Sequence, residues 1–316
     1  MNVAFLGLGA IGAPMAGHLA APPFALTVWN RTYERACRFV ESHAAARIAE
    51  SPADAVRGAD VVITCLPSSR EVEALVLSEL FDAIPYGALF LDCTSGDPAT
   101  SRRLAERFAA RGVSFLDAPV SGGVIGAEKG KLTVMVGGDA AVLDRARPVL
   151  AAFGEKIVHC GAVGAGDALK AVNNALLAIH VWSTAEGLAV LERAGVRADI
   201  ALDVINTSSG RSNASMNLFP ERVLTRAFPR TFRLALLDKD VAIAAEVARE
   251  QRVPAPLIQL TAELFRMAHG ALGEEADHVE AARLVEQWAD VTIGGPRPAA
   301  GAPNVMSSND ELEQEL

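Results

Sequence analysis

The chain has 316 residues, 51% apolar and 21% charged, with a formal net charge of −9. That is enough for two domains and for a core that needs neither disulfides nor metal. The negative balance argues against nucleic acid or an anionic membrane as partner, yet leaves room for a phosphorylated small molecule held by local positive charge.

Short apolar runs alternate with helical patterns through the first half. Val3–Leu6, Leu26–Trp29, Val61–Leu66, Leu89–Asp92, Ser114–Asp117, Thr133–Val136 and Lys156–His159 read as strands. Arg31–Ser42, Arg70–Leu80 and Thr100–Arg111 between them have helical spacing. This alternation predicts βαβ units in a mostly parallel, doubly wound α/β sheet of Rossmann type over residues 1–162. The pattern then changes. Gly166–Ala194 reads as one long interdomain helix, apolar on several sides, which is best buried between domains or subunits. Ile200–Asn206, Leu236–Glu250, Pro256–Ala271 and Val279–Trp288 read as further helices, so 163–294 is expected to be an all-α domain. The stretch 295–316, rich in Pro, Gly and Ala and then Ser, Asp and Glu, reads as a disordered tail. The chain opens on no basic-apolar leader, and no uninterrupted apolar run reaches the roughly 18–20 residues of a membrane span. A cytoplasmic protein is expected. Cys37, Cys65, Cys93 and Cys160 form no Cys-x-x-Cys pair and no His group has zinc spacing, so no metal is expected.

Residues 3–19 read VAFLGLGAIGAPMAGHL. A strand runs into Gly7-Leu8-Gly9-Ala10-Ile11-Gly12, and a helical stretch follows. Gly7 suits a tight turn, Gly9 lets backbone N–H groups approach a pyrophosphate, and Gly12 permits close helix–strand packing. The helix N-terminus adds partial positive charge. A dinucleotide is the expected cofactor. The second strand ends in Asn30-Arg31-Thr32, where NAD-selective sites place an acid for the ribose 2′-hydroxyl. Donors stand there instead and suit a 2′-phosphate, which favours NADP over NAD; the other reading makes Arg31 a solvated helix-start residue.

Leu66-Pro67 and Thr94-Ser95 follow strand ends, where parallel sheets bind ligands. Taken alone, both also fit ordinary turn chemistry. Residues 117–138, DAPVSGGVIGAEKGKLTVMVGG, hold Ser121-Gly122-Gly123. A hydroxyl beside two unhindered N–H groups makes a carboxylate nest, and a glycine-rich hairpin connection is the equal alternative. On the long helix Lys170 and Asn174 fall at i and i+4, on one face, among Leu169, Val172, Leu176 and Leu177. A desolvated amine there has its neutral form favoured and exchanges protons near neutral pH. Spacing alone equally allows a lysine that snorkels to solvent.

Together FLGLGAIGAPMAGHL, DAPVSGGVIGAEKGKLTVMVGG, GAGDALKAVNNALLA and LLDKD resemble the β-hydroxyacid dehydrogenase family, which includes 3-hydroxyisobutyrate dehydrogenases and tartronate semialdehyde reductases, from residue 2 to about 290. The resemblance implies Lys170 as general acid/base and Asn174 as its polar partner. It also implies Ser121, Gly122 and Gly123 on the substrate carboxylate, Thr94 and Ser95 beside the nicotinamide, and Lys239 closing from the helical half. The stretch Asn206-Thr-Ser-Ser-Gly-Arg211-Ser212 is similar to hydroxyisobutyrate-type members. The implied substrate is a small β-hydroxy acid or its semialdehyde; the long, broadly apolar helix favours at least a dimer, a homodimer or homotetramer being expected. An imine reductase or another carbonyl reductase on the same scaffold, and a non-catalytic dinucleotide-binding module, are the competing readings. Relatives of both kinds generally lack the lysine that this chain keeps at Lys170.

Overall fold

The structure, a computed structural model, describes residues 1–294; the tail expected at 295–316 lies outside them. Nine strands form one sheet. They are β1 (Asn2–Leu6), β2 (Ala25–Trp29), β3 (Arg47–Ile48), β4 (Val61–Thr64), β5 (Leu89–Asp92), β6 (Ser114–Asp117), β7 (Val120–Ser121), β8 (Leu132–Gly137) and β9 (Gly154–Gly161). The order β3-β2-β1-β4-β5-β6 is parallel throughout. β8 runs antiparallel to β6 and β7, and β9 pairs parallel with β8.

Side-chain alternation sorts the strands onto two cores. Val3, Phe5, Ile63 and Leu91 face one cluster, and Ala4, Leu6, Val62 and Phe90 the other. Burial on both faces explains why these strands read as continuous apolar runs. The Rossmann-type half is therefore doubly wound, as the alternation of elements predicts. Two short strands, β3 and β7, fall below what a pattern of apolar residues can reveal. The helix Ala140–Phe153, capped by the Asp139 carboxylate on the N–H groups of Ala141 and Val142, was also unanticipated. Its internal Pro148 works against a helical reading. The strand read as Val61–Leu66 ends at Thr64, which releases Cys65, Leu66 and Pro67 into the loop at the sheet edge.

The long helix runs Ala165–Arg193, 29 residues, or about 43 Å at 1.5 Å per residue. It packs on β6, β8, β9 and the helix Pro98–Ala109, and along its length on Leu234–Glu250, Pro256–Leu272 and Ala282–Ala289. Among the described residues it is long and apolar enough to cross a membrane. Its Ala171, Ala175, Ala178, Val181, Trp182, Ala185 and Leu188 are instead the centre of the helical core. The expected helix Val279–Trp288 divides into a 3₁₀ turn, His278–Ala281, and the helix Ala282–Ala289.

Candidate active site

The glycine loop follows β1 directly. Gly7 has φ +106°, and a Cβ there would lie 2.3 Å from the Cys65 carbonyl oxygen. A Cβ on Gly12 would lie 2.0 Å from the Gly7 carbonyl oxygen. Both positions demand glycine on contact grounds. A Cβ on Gly9 meets nothing within 4 Å, so that face of the loop is open. The N–H groups of Ala10 and Ile11 have no acceptor among the described residues. Open backbone with free donors fits a dinucleotide pyrophosphate. The helix that follows is only Gly12–Gly17, so local N–H groups rather than a long helix dipole make the attraction.

Asn30 serves the loop itself: its Oδ1 accepts from Leu8 N–H at 2.8 Å and its Nδ2 donates to the Thr32 carbonyl at 2.9 Å. Arg31 and Thr32 are exposed, and Arg31 has no ion-pair partner among the described residues. A groove of about 780 Å³ runs from Leu8, Gly9 and Ala10 along Arg35 and Arg38. Leu66 and Pro67 lie at the adjacent strand end, Leu66 half-buried and Pro67 exposed. Thr94 is buried, and its Oγ1 accepts from Leu66 N–H at 3.0 Å. Its hydroxyl thus ties two strand-end loops together. Asp92 anchors the same corner, accepting from Thr64 Oγ1 and Thr94 N–H. Burial pushes the Asp92 carboxyl up to about 6 against the hydrogen bonds that lower it.

Lys170, Asn174, Lys239 and Ser95 are brought together, and a residue not singled out from sequence joins them. Asp240 is 2% exposed. Its Oδ2 accepts from Asn174 Nδ2 at 2.6 Å and its Oδ1 pairs with Lys239 Nζ at 2.9 Å. Lys239 Nζ also donates to the Ser95 carbonyl, which ties the helical half to the loop after β5. Lys170 is half-buried. Desolvation holds its amine below the usual lysine range, with the Lys239 charge acting in the same direction and the Asp240 charge opposing. The amine of Lys170 therefore lies within the field of that network rather than in bulk water. The signal for Asp240 was in the Lys-Asp pair of LLDKD, where the lysine drew the attention.

The start of the long helix is seated on the sheet edge. The Asp117 carboxylate, at the end of β6, accepts from Gly164 N–H at 2.7 Å and Asp167 N–H at 3.0 Å. Lys170 thus stands about two turns beyond the edge where the cofactor loops emerge. Ser121 ends β7, paired with Thr133 of β8, and its hydroxyl has no partner among the described residues. Gly122 and Gly123 have φ +140° and +64°, which L side chains rarely adopt. A helix, Gly123–Glu128, begins at once, so the turn opens N–H groups rather than closing a plain hairpin. Asn206–Ser212 is mostly exposed, and Arg211 has no partner among the described residues. Ser212 and Ser215 bond each other at the start of a wide-turned π-helix, Ala214–Val223.

Residues 2–161 match the family described as the NAD binding domain of 6-phosphogluconate dehydrogenase. Residues 164–285 match the NAD-binding family of NADP-dependent 3-hydroxyisobutyrate dehydrogenase. An NAD-dependent L-serine dehydrogenase of Pseudomonas aeruginosa is 38% identical over 84% of this chain and 91% of its own. A 3-hydroxyisobutyrate dehydrogenase of the same organism is 37% identical over 84% and 91%. The solved Mycobacterium tuberculosis 3-hydroxyisobutyrate dehydrogenase with L-serine superposes with a TM-score of 0.82, at 32% identity over 90% of this chain and 98% of that one. Imine reductases superpose at 19% identity or less, a likeness of fold alone. The chain belongs to the NAD(P)-dependent β-hydroxyacid dehydrogenase family, with a Rossmann-type half followed by a helical half.

Proposed function

We propose that the chain interconverts a small β-hydroxy acid, of 3-hydroxyisobutyrate or 2-hydroxy-3-oxopropionate type, with its carbonyl partner, with NADP preferred over NAD. The observation that carries the reading is the desolvated Lys170 amine beside the Asn174–Asp240–Lys239 network that reaches Ser95. Relatives named for 3-hydroxyisobutyrate and L-serine support a small β-hydroxy acid. Exposed Arg31 and Thr32, in place of an acid at the end of β2, support a 2′-phosphate. A solved relative of 26% identity, Psf3, carries NADP⁺.

The cofactor, when bound, gives or takes the hydride at its nicotinamide. Gly9, Ala10 and Ile11 would hold its pyrophosphate, with Leu66, Pro67 and Ser95 along its flank. Ser121 and the N–H groups of Gly122 and Gly123 would take the substrate carboxylate, and fixing that end settles which carbon faces the nicotinamide. In oxidation neutral Lys170 removes the hydroxyl proton; in reduction its ammonium returns one. Asn174 is held by Asp240 so that its amide stays aimed along the helix face it shares with Lys170.

The boundary between the halves falls at 162/163 in this reading, and the protein acts in the cytoplasm. A homodimer or homotetramer would cover Leu169, Leu176 and Val190, which stay exposed on the long helix. Oxidation of a panel of β-hydroxy acids with both cofactors tests the substrate class. Lys170→Ala is expected to lower turnover by about 10²–10⁴ with cofactor binding retained. Turnover within tenfold of the parent protein would assign the proton to another group.

A further inference from the structure

A second amide, Asn173, stands beside Lys170 on the long helix. At about 100° per residue, Asn174 falls about 40° to one side of Lys170 and Asn173 about 60° to the other. The Asn174 side is buried, with Ala171, Ala175 and Ala178 beyond it. The Asn173 side is open: Leu169 and Leu176 lie farther round and are exposed, as is Asn173 itself. Asn173 therefore stands at the lip between the Lys170 amine and solvent. Within a turn of Lys170 the other residues on that flank are Gly166, Leu169 and Val172, so Asn173 is the one polar side chain there.

Hydrogen bonding fixes which atom that side chain offers. Asp240 pairs with Lys239 Nζ at 2.9 Å, and an ionised carboxylate offers only acceptors. Asn174 must therefore turn its NH₂ to Asp240, and its Nδ2 donates to Asp240 Oδ2 at 2.6 Å. This leaves Asn174 Oδ1 on the far side of the amide, where it accepts from Asn173 Nδ2 at 3.1 Å. Asn173 in turn must present its NH₂ to Asn174, because the flipped amide would set two oxygens against each other. Its own Oδ1 faces the other way and takes no donor among the described residues. Lys239, Asp240, Asn174 and Asn173 thus form a directed chain that ends in an unused oxygen on the open flank of Lys170.

With the reacting oxygen at Lys170 and the carboxylate at Ser121–Gly123, the substrate is held at both ends. The carbon between carries the group that distinguishes one β-hydroxy acid from another: a hydrogen, a methyl, a hydroxyl or an ammonium. We propose that Asn173 determines specificity for that group, its Oδ1 accepting an O–H or N–H donor on the carbon between the carboxylate and the reacting carbon. Asp240 spends its oxygens on Asn174 and Lys239, so Asn173 is the acceptor left on this face. A hydrogen or methyl on that carbon leaves the oxygen unpaired once substrate has displaced water, and donor-bearing acids are favoured. This inference deepens the reading of Lys170 above and rests on it.

Two pairs of acids test it: glycerate against 3-hydroxypropionate, which differ by the hydroxyl, and L-serine against 3-hydroxyisobutyrate, which differ by ammonium and methyl. Within each pair the ratio of kcat/KM cancels effects common to both acids. Asn173→Ala is expected to lower the first ratio by about 2–10-fold, the worth of a neutral hydrogen bond, and the second by about 10–100-fold, since an ammonium donor is charged. Asn173→Asp keeps an acceptor but loses the donor to Asn174, so it is expected to hold the first ratio and raise the second. A residue that merely oriented Asn174 would be lost alike in both variants and for all four acids. Binding without turnover gives a second readout. Each acid is titrated into protein loaded with the reduced cofactor, which cannot accept a hydride, and nicotinamide fluorescence reports Kd; the same ratios should move the same way. Ratios unmoved by Asn173→Ala, or lost as fully in Asn173→Asp, overturn the proposal. If Lys170→Ala retains turnover within tenfold, or none of the four acids is oxidised, the Lys170 reading fails, and the Kd ratios still decide whether Asn173 receives the donor.

Discussion

Asp240→Asn separates the electrostatic part of the lysine network from its geometry. The Asp240 carboxylate takes Asn174 on one oxygen at 2.6 Å and Lys239 on the other at 2.9 Å. At that second distance and an effective dielectric near 20, the Coulomb attraction to Lys239 is about 6 kcal/mol before desolvation. Removing one partner of such a buried pair costs about 3–5 kcal/mol net. Asparagine keeps one acceptor, which can serve Asn174 or Lys239 but not both, so the low end, about 3 kcal/mol, is expected. At about 2–4 °C per kcal/mol for a chain of this size, Tm falls by roughly 6–12 °C. The functional consequence has a definite sign. The Asp240 charge opposes the desolvation of Lys170, so without it the lysine gives up its proton at lower pH. The rising limb of oxidation, which needs the neutral amine, moves to lower pH; the falling limb of reduction, which needs the ammonium, moves the same way. Calorimetry and kcat–pH profiles in both directions read both effects. Limbs that stay in place or move to higher pH would refute the coupling of Asp240 to Lys170.

Arg31→Ala should lower kcat/KM with NADPH by about 10–100-fold, the worth of one charge-assisted bond, and leave NADH nearly unaffected; equal losses with both cofactors would remove Arg31 from the phosphate. Gly12→Ala must push the Gly7 carbonyl aside and is expected to cost about 1–3 kcal/mol, with weakened cofactor binding measured by nicotinamide fluorescence. Asp277 accepts from the N–H groups of Thr231, Phe232 and Val279. Although burial raises its carboxyl, His278 and these donors outweigh that and hold it below the usual range. A depressed carboxyl stabilises the fold above its unfolded value, about 4, and the contribution is lost as pH falls through the folded value. Asp277→Asn should therefore unfold more easily at pH 7 in urea and lose part of the parent protein's acid sensitivity.

The Rossmann-type half was legible because its central strands β1, β4 and β5 are buried on both faces and most of its strands run into Gly, Asn or Asp, so periodicity and breakers agree. Glycine spacing singled out Gly7, Gly9 and Gly12, whereas Lys170 was singled out by the resemblance, because helix spacing alone equally allows a lysine that reaches solvent. What stayed hidden was set by tertiary partners. β3 and β7 are two residues long and exist through their neighbours. Thr94 also accepts from Leu66 N–H, a contact between strand ends 28 residues apart that the sequence pattern does not show. Asp240 was invisible as a candidate site residue for a related reason. An acid on a helix reads as a solvated face, and only the opposing sheet edge reveals that it is buried. The π turns at Val76–Leu80 and Ala214–Val223 likewise leave no mark on a 3.6-residue pattern.

In the proposed mechanism the reacting amine rides on a helix, and not on a loop, which determines how precisely it can be placed. Lys170 lies six residues from Gly164, about 9 Å along the axis, so any tilt at the seat is transmitted to the amine almost rigidly. The seat is made of short bonds from Asp117 to backbone N–H groups and from Ser101 to Asp167, with glycines flat against the carboxylates. A second tie, Lys239 to the Ser95 carbonyl, spans the same gap from the other helix. Two ties on different helices, both ending on the loops after β5 and β6, restrict rotation about either one. The distance from amine to nicotinamide is then a property of the sheet edge, where the cofactor itself would bind. Filling the cofactor site and aligning the proton donor therefore draw on the same few loops. Substitutions in those loops should change turnover and cofactor affinity together, whereas substitutions at Ser121 should act chiefly on the substrate.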